Sequence, residues 1–156
     1  MNGHRIDLER LVEARVERVW EVLTDVAHAD QTLGGVDRVE LLTEGPYQVG
    51  TRWRETRRMF GKEATEHFEV TACVPGKRLG LKVDGTKGTT GKGEYRFDYD
   101  FEPDGAGTRL RTRAEIDMPG GLFTKIIGKL MGGAFKKACD KDLDALKTYL
   151  EGKRGS

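Results

Sequence analysis

Little in this chain invites a cross-link, a metal or a membrane. It has only two cysteines, Cys73 and Cys139, far apart and without CxxC or Cys/His spacing. That excludes a disulfide framework and argues against a zinc site. His4, His28 and His67 are scattered too, so no metal centre is expected. No apolar run approaches the roughly 20 residues of a spanning helix, so no membrane span is expected. Residues 1–5 lack the apolar core of a secretory leader, and the chain reads as soluble and cytoplasmic. An excess of one charge is missing as well. The 27 Lys+Arg against 26 Asp+Glu leave a formal net charge of +1, whereas a nucleic-acid binder carries a net basic surface or tail. No Ser/His/Asp or Cys/His arrangement and no phosphate-cradling glycine motif is present, so no cofactor is expected.

What the chain does have is alternation. Residues 4–13 alternate Ile6, Leu8, Arg10 and Val12 with Arg5, Asp7, Glu9 and Leu11, which predicts a strand. The period then lengthens. Val16, Val19, Trp20, Leu23 and Val26 predict a short helix over about 15–25, though no Ser, Thr or Asp caps its start. A second short helix or loop over 27–35 ends at Gly34-Gly35. Strands are predicted over 36–43, 51–59, 62–74, 78–83, 93–102 and 108–118. Between the fourth and fifth of these, the Gly/Thr-rich segment 84–92 reads as a mobile loop at a cavity entrance. From residue 119 onward the apolar residues recur at i, i+3, i+4 and i+7, predicting one long amphipathic helix. Residues 1–151 read as one domain and residues 152–156 as a flexible tail.

Four stretches resemble the START/Bet v1-like (SRPBCC) superfamily, in its bacterial polyketide cyclase/dehydrase-like branch. They are Val16-Glu17-Arg18-Val19-Trp20-Glu21-Val22-Leu23-Thr24-Asp25 after the first strand, Val49-Gly50-Thr51-Arg52, the run from Glu69-Val70-Thr71 through Val74-Pro75-Gly76-Lys77-Arg78-Leu79, and Gly107-Thr108-Arg109-Leu110. The resemblance spans nearly the whole chain. It implies an α+β helix-grip fold: a curved antiparallel β-sheet wrapped around a long C-terminal helix, with two short helices after the first strand. It also implies a cavity rather than a shared catalytic motif, since the superfamily includes cyclases, lipid carriers and co-chaperones.

The hairpin around Phe60-Gly61 permits a sharper expectation. Trp53, Glu55 and Arg57 share one phase; Ala64, Glu66, Phe68, Val70, Ala72 and Val74 share another. With an even-length turn these phases coincide, placing Trp53 opposite Phe68, Glu55 opposite Glu66 and Arg57 opposite Ala64 on the concave face. Glu55, Glu66 and Arg57 are therefore the candidate catalytic group, two carboxylates with unequal proton affinity beside a guanidinium. The same residues also read as a hydrated ion network at the cavity mouth, and a β-bulge would undo the pairing. By the same parity His67 falls on the outer face.

The ligand-lining candidates are Trp53, Phe68, Tyr95, Phe97 and Tyr99 from the sheet, with Phe123, Ile127, Met131 and Phe135 from the long helix. An aromatic stripe such as 95–101 serves a core equally well. Gly128, Gly132 and Gly133 allow close helix approach, a bend or ligand space. Three functions follow. The first is binding of a small hydrophobic molecule. The second is a polyketide cyclase, aromatase or dehydrase using Glu55, Glu66 and Arg57. The third is a co-chaperone-like or ribosome-associated interaction module. The ligand's identity and the oligomeric state stay open.

Overall fold

A computed structural model describes the backbone of residues 3–59, 61–117 and 122–152, and the side chains of residues 5–58, 61–117 and 133–152. Strand β1 (Gly3–Val12) is followed by α1 (Val16–Thr24), a 3₁₀ turn (Val26–His28) and α2 (Ala29–Thr32). Six strands then run in succession: β2 (Val36–Leu41), β3 (Arg52–Met59), β4 (Lys62–Val74), β5 (Arg78–Asp84), β6 (Glu94–Asp104) and β7 (Gly107–Asp117). Helix α3 (Leu122–Gly152) closes the order. The strands make one antiparallel sheet, β1-β7-β6-β5-β4-β3-β2. This is the α+β helix-grip architecture expected from the residue pattern. The break expected at Pro119-Gly120-Gly121 and the 153–156 tail lie outside the described residues.

One long helix on a broad sheet is held by a single apolar face. Leu143, Leu146 and Leu150 are buried against Val12, Val19, Trp53, Leu79 and Leu110. Burying a leucine contributes roughly 1.5–3 kcal/mol, so this turn-by-turn stripe anchors the helix's C-terminal half. Arg10 on β1 adds two ion pairs to α3, with Asp140 and Asp144, both at 2.8 Å. Helix α1 buries Val19 and Val22 and sets Trp20 edge-on to Phe101, ring centroids 5.2 Å apart. Its first turn starts without a side-chain cap, as the sequence foretold.

The register of β3 and β4 is the expected one. A two-residue turn joins Met59 to Lys62, with Gly61 at φ 77°, and pairs Trp53 with Phe68, Glu55 with Glu66 and Arg57 with Ala64. A bulge does occur in β4, but beyond these pairs and toward β5. Val70 faces Leu81, Ala72 faces Gly80 and Cys73 faces Leu79, leaving Thr71 as the extra residue. The slip reverses the alternation from there on. Ala72 and Val74, expected to point inward with Val70, lose that phase: Cys73 joins the core, while Val74 is 47% exposed. Gly80 permits this geometry, since a Cβ there would stand 2.9 Å from Thr71 Oγ1 and 3.0 Å from Ala72 Cβ.

Segment 84–92 also departs from expectation. Strand β5 ends at Asp84, opposite His67, so the edge of β4 beyond that point would be left unpaired. The segment fills the gap. Thr89 N–H donates to Thr65 O at 2.8 Å, and Thr65 N–H donates to Thr89 Oγ1 at 2.8 Å. Asp84 caps the 3₁₀ turn Gly85–Lys87 by accepting from Thr86 N–H at 3.0 Å. Backbone groups that need partners supply the order that composition did not.

Candidate functional site

Between the inner face of the sheet and the helices lies a cavity of about 350 Å³. Its walls come from the alternation itself: inward residues of β3, β4, β5 and β6, with Ala134, Phe135, Ala138, Cys139 and Asp142 from α3. Trp53 stacks on Phe68 with centroids 5.4 Å apart and planes 11° apart, and Phe68 stacks in turn on Phe97 at 6.5 Å. Phe135 reaches from the helix to Phe97 at 5.8 Å and Tyr95 at 5.9 Å. Tyr99 lies on the same wall. Six of the nine ligand-lining candidates therefore line one cavity. The side chains of Phe123, Ile127 and Met131 lie outside the described residues. Phe101, the fourth aromatic of the β6 stripe, belongs instead to the packed core.

The three proposed polar residues also line this cavity, but they do not form one cluster. Arg57 Nη2 donates to Glu55 Oε2 at 2.7 Å and to Asp142 Oδ2 at 3.0 Å, tying β3 to α3. Glu66 turns the other way. Its Oε1 accepts from Thr90 N–H at 3.0 Å and from the Thr90 hydroxyl, which lies 3.2 Å from Tyr95 OH. So Glu55 and Glu66 are opposite in register yet serve separate networks: one holds the helix, the other holds the 88–90 segment over the sheet.

Burial controls the chemistry of this wall. It pushes the Glu55 carboxyl above its ordinary value, against the opposing pull of Arg57. Burial alone would lower the Arg57 guanidinium, but Glu55 and Asp142 outweigh it and hold it above its usual range. Burial also raises the Tyr99 and Tyr95 phenols and pushes the Cys139 thiol up to about 12. Cys139 is thus a neutral wall residue and a poor nucleophile. Burial thus strengthens the hold of Glu55 and Tyr99 on their protons beside a fixed positive charge, an arrangement able to donate to and steady a carbonyl oxygen.

Asp142 was missed in the sequence although its position announced it. It falls at i+3 from Cys139, i+4 from Ala138 and i+7 from Phe135, inside the helix's inward stripe. A charge in an apolar stripe requires a partner, and Arg57 is that partner. Thr90 and Tyr47, which also line the cavity, had no comparable signal. His67 is on the outer face by register, yet it is only 6% exposed. Burial and the charges of Lys87 and Arg52 lower its proton affinity. Among the described residues no group of three or more His, Cys, Asp or Glu could hold a metal, and no helix is long and apolar enough to cross a membrane.

Solved structures of similar shape bring this geometry into a known setting. The Zhui aromatase/cyclase from Streptomyces sp. R1128 superposes with a TM-score of 0.81 at 17% identity, over 96% of this chain and 94% of that one. A START superfamily protein from Mycobacterium smegmatis gives 0.73 at 13% identity, over 96% and 98%. Ara h 8.0201 gives 0.74 at 14% identity, over 96% and 99%. At such identities the likeness is one of fold. No curated protein matches the chain by sequence. The family described as polyketide cyclase/dehydrase and lipid transport matches residues 3–151.

Proposed function

The chain belongs to the polyketide cyclase/dehydrase and lipid transport family, and from that premise we propose that it binds a small hydrophobic molecule between sheet and α3. One observation carries the reading: a cavity of about 350 Å³ walled by the Trp53–Phe68–Phe97 stack, Tyr95, Tyr99 and Phe135. That volume suits a compact ligand, and mostly apolar walls with a few polar groups are what such ligands select. Native mass spectrometry of the purified protein should show a 1:1 complex with an aromatic or acyl compound. Ala138→Phe, which fills the cavity from the helix side, should abolish it. Equal binding by the filled variant would place the ligand elsewhere and sink the reading.

A second reading, a cyclase or dehydrase reaction in the same cavity, draws on Glu55. A buried carboxyl whose proton affinity burial raises, beside Arg57 and Tyr99, is placed to pass a proton to a carbonyl oxygen while the guanidinium steadies the negative charge. Glu66, its cross-strand neighbour on the same sheet wall, remains a second candidate. Incubation with a poly-β-ketone separates the two readings. Turnover lost in Glu55→Gln with ligand binding kept supports catalysis, and no turnover in the wild type leaves a carrier.

A further inference from the structure

Whatever the cavity binds must enter it, and the binding reading above leaves the route open. The described walls differ in what holds them. The sheet is tied by its ladder, α1 by buried Val19 and Val22, and α3 by Leu143, Leu146 and Leu150. Segment 85–93 is held otherwise. It reads Gly-Thr-Lys-Gly-Thr-Thr-Gly-Lys-Gly, without one apolar residue, yet its Thr89 and Thr90 line the cavity together with Ala64 and Tyr95. Its ties to β4 are polar. Thr89 and Thr65 exchange two hydrogen bonds of 2.8 Å, and Thr90 gives its N–H and its hydroxyl to Glu66 Oε1. Lifting this strap uncovers little apolar surface, and water can replace each bond it loses. Its opening free energy therefore belongs at the low end of the range found within one fold.

The base of the strap is closed separately from its middle. Gly85 N–H donates to Gly93 O at 2.9 Å, and Asp84 pairs with Glu94 across β5 and β6. Gly91 and Gly93, at φ 77° and 78°, take the left-handed conformation that lets the chain turn back there. The middle lies flat on β4 because Gly88 has no side chain. A Cβ there would meet the Glu66 carboxylate and stand 2.6 Å from Thr65 O. With φ at −127°, Gly88 has a backbone that any residue adopts, so space alone demands a glycine.

We propose that this strap is the door of the cavity, swinging off the edge of β4 about its closed base to let ligand in and out. The proposal rests on the binding reading, and Gly88→Ala tests it. The added methyl wedges the closed strap away from Thr65 while every cavity-lining side chain is kept. That cost falls equally on the free and the occupied protein, so it cancels in the affinity but not in the rates. Stopped-flow mixing with the uncharged fluorophore N-phenyl-1-naphthylamine gives the association rate, and dilution of the complex gives the dissociation rate. In Gly88→Ala both should rise together, about five-fold or more, with Kd unchanged within about two-fold. Faster release with unchanged entry would make the strap a mere wall and overturn the proposal, as would two unchanged rates. Should Gly88→Ala not fold, Thr90→Val, which removes the hydroxyl bonded to Glu66, decides by its entry rate, faster for a door and unchanged for a wall. Hydrogen exchange of the wild type is a second check. The Thr89 and Thr90 amides should be about a hundred-fold or more less protected than that of Val70, which is bonded to Thr51 O. Equal protection overturns the door. A probe that does not bind the wild type takes down the binding reading too, whereas binding at rates indifferent to both variants removes only the door.

Discussion

Arg57 on β3 and Asp142 on α3, 85 positions apart in the chain, meet at 3.0 Å across the end of the cavity. With Glu55 at 2.7 Å on the same nitrogen, the guanidinium is the rivet between sheet and helix. Replacing it strands two carboxylates at its site. Arg57→Met should therefore cost about 3–5 kcal/mol, read as a lowered urea midpoint with unchanged slope. A loss below about 1 kcal/mol would mean that the pair behaves like an exposed one.

The raised proton affinity of Glu55 sets a pH dependence. A carboxyl whose folded value lies above its unfolded one holds more protons in the native state, so stability falls as pH rises from the ordinary value, 4.5, toward the folded one. The wild type should lose stability relative to Glu55→Gln across that rise. Denaturation of both proteins from pH 4.5 to 7.5 tests it. Parallel curves would show that Arg57 fully offsets the burial of Glu55.

Gly80 should tolerate no side chain. A Cβ there meets Thr71 Oγ1, Ala72 Cβ and the Ala72 backbone nitrogen, all within 3.3 Å. Gly80→Ala should destabilise by about 1–3 kcal/mol through overpacking at the bulge. Calorimetric melting compared with the wild type gives the answer.

Gly133 should behave oppositely. It is exposed on α3, and among the described residues nothing lies within 4 Å of where its Cβ would be. Helix propensity then acts alone, and Gly133→Ala should stabilise by about 0.5–1 kcal/mol. A destabilised variant would show that this glycine is kept for a contact made only with ligand or partner.

The fold was legible because two periods, one of two residues and one of 3.6, change over cleanly at residues 13, 36 and 119. The β3–β4 register was legible because a two-residue turn preserves parity. The Thr71 bulge was not, since what permits it is the missing side chain of Gly80 on another strand. In the site, Trp53, Phe68 and Tyr99 follow from alternation. The partnership of Arg57 with Asp142, and of Glu66 with Thr90, depends on rotamers and on where a loop docks. Two carboxylates facing each other in register can still turn to different neighbours.

Trp53, one of only two tryptophans, is 2% exposed, lines the cavity and stacks on Phe68 at 5.4 Å. The other, Trp20, sits outside the cavity wall against Phe101. The molecule thus carries its own optical reporter of occupancy. Indole emission shifts to the blue in an apolar surrounding and to the red when its N–H acquires a polar partner. A guest that fills the cavity should quench or shift the Trp53 component alone, leaving that of Trp20 as an internal reference. Trp20→Phe would give a single-emitter protein in which uptake is followed in real time without any added dye.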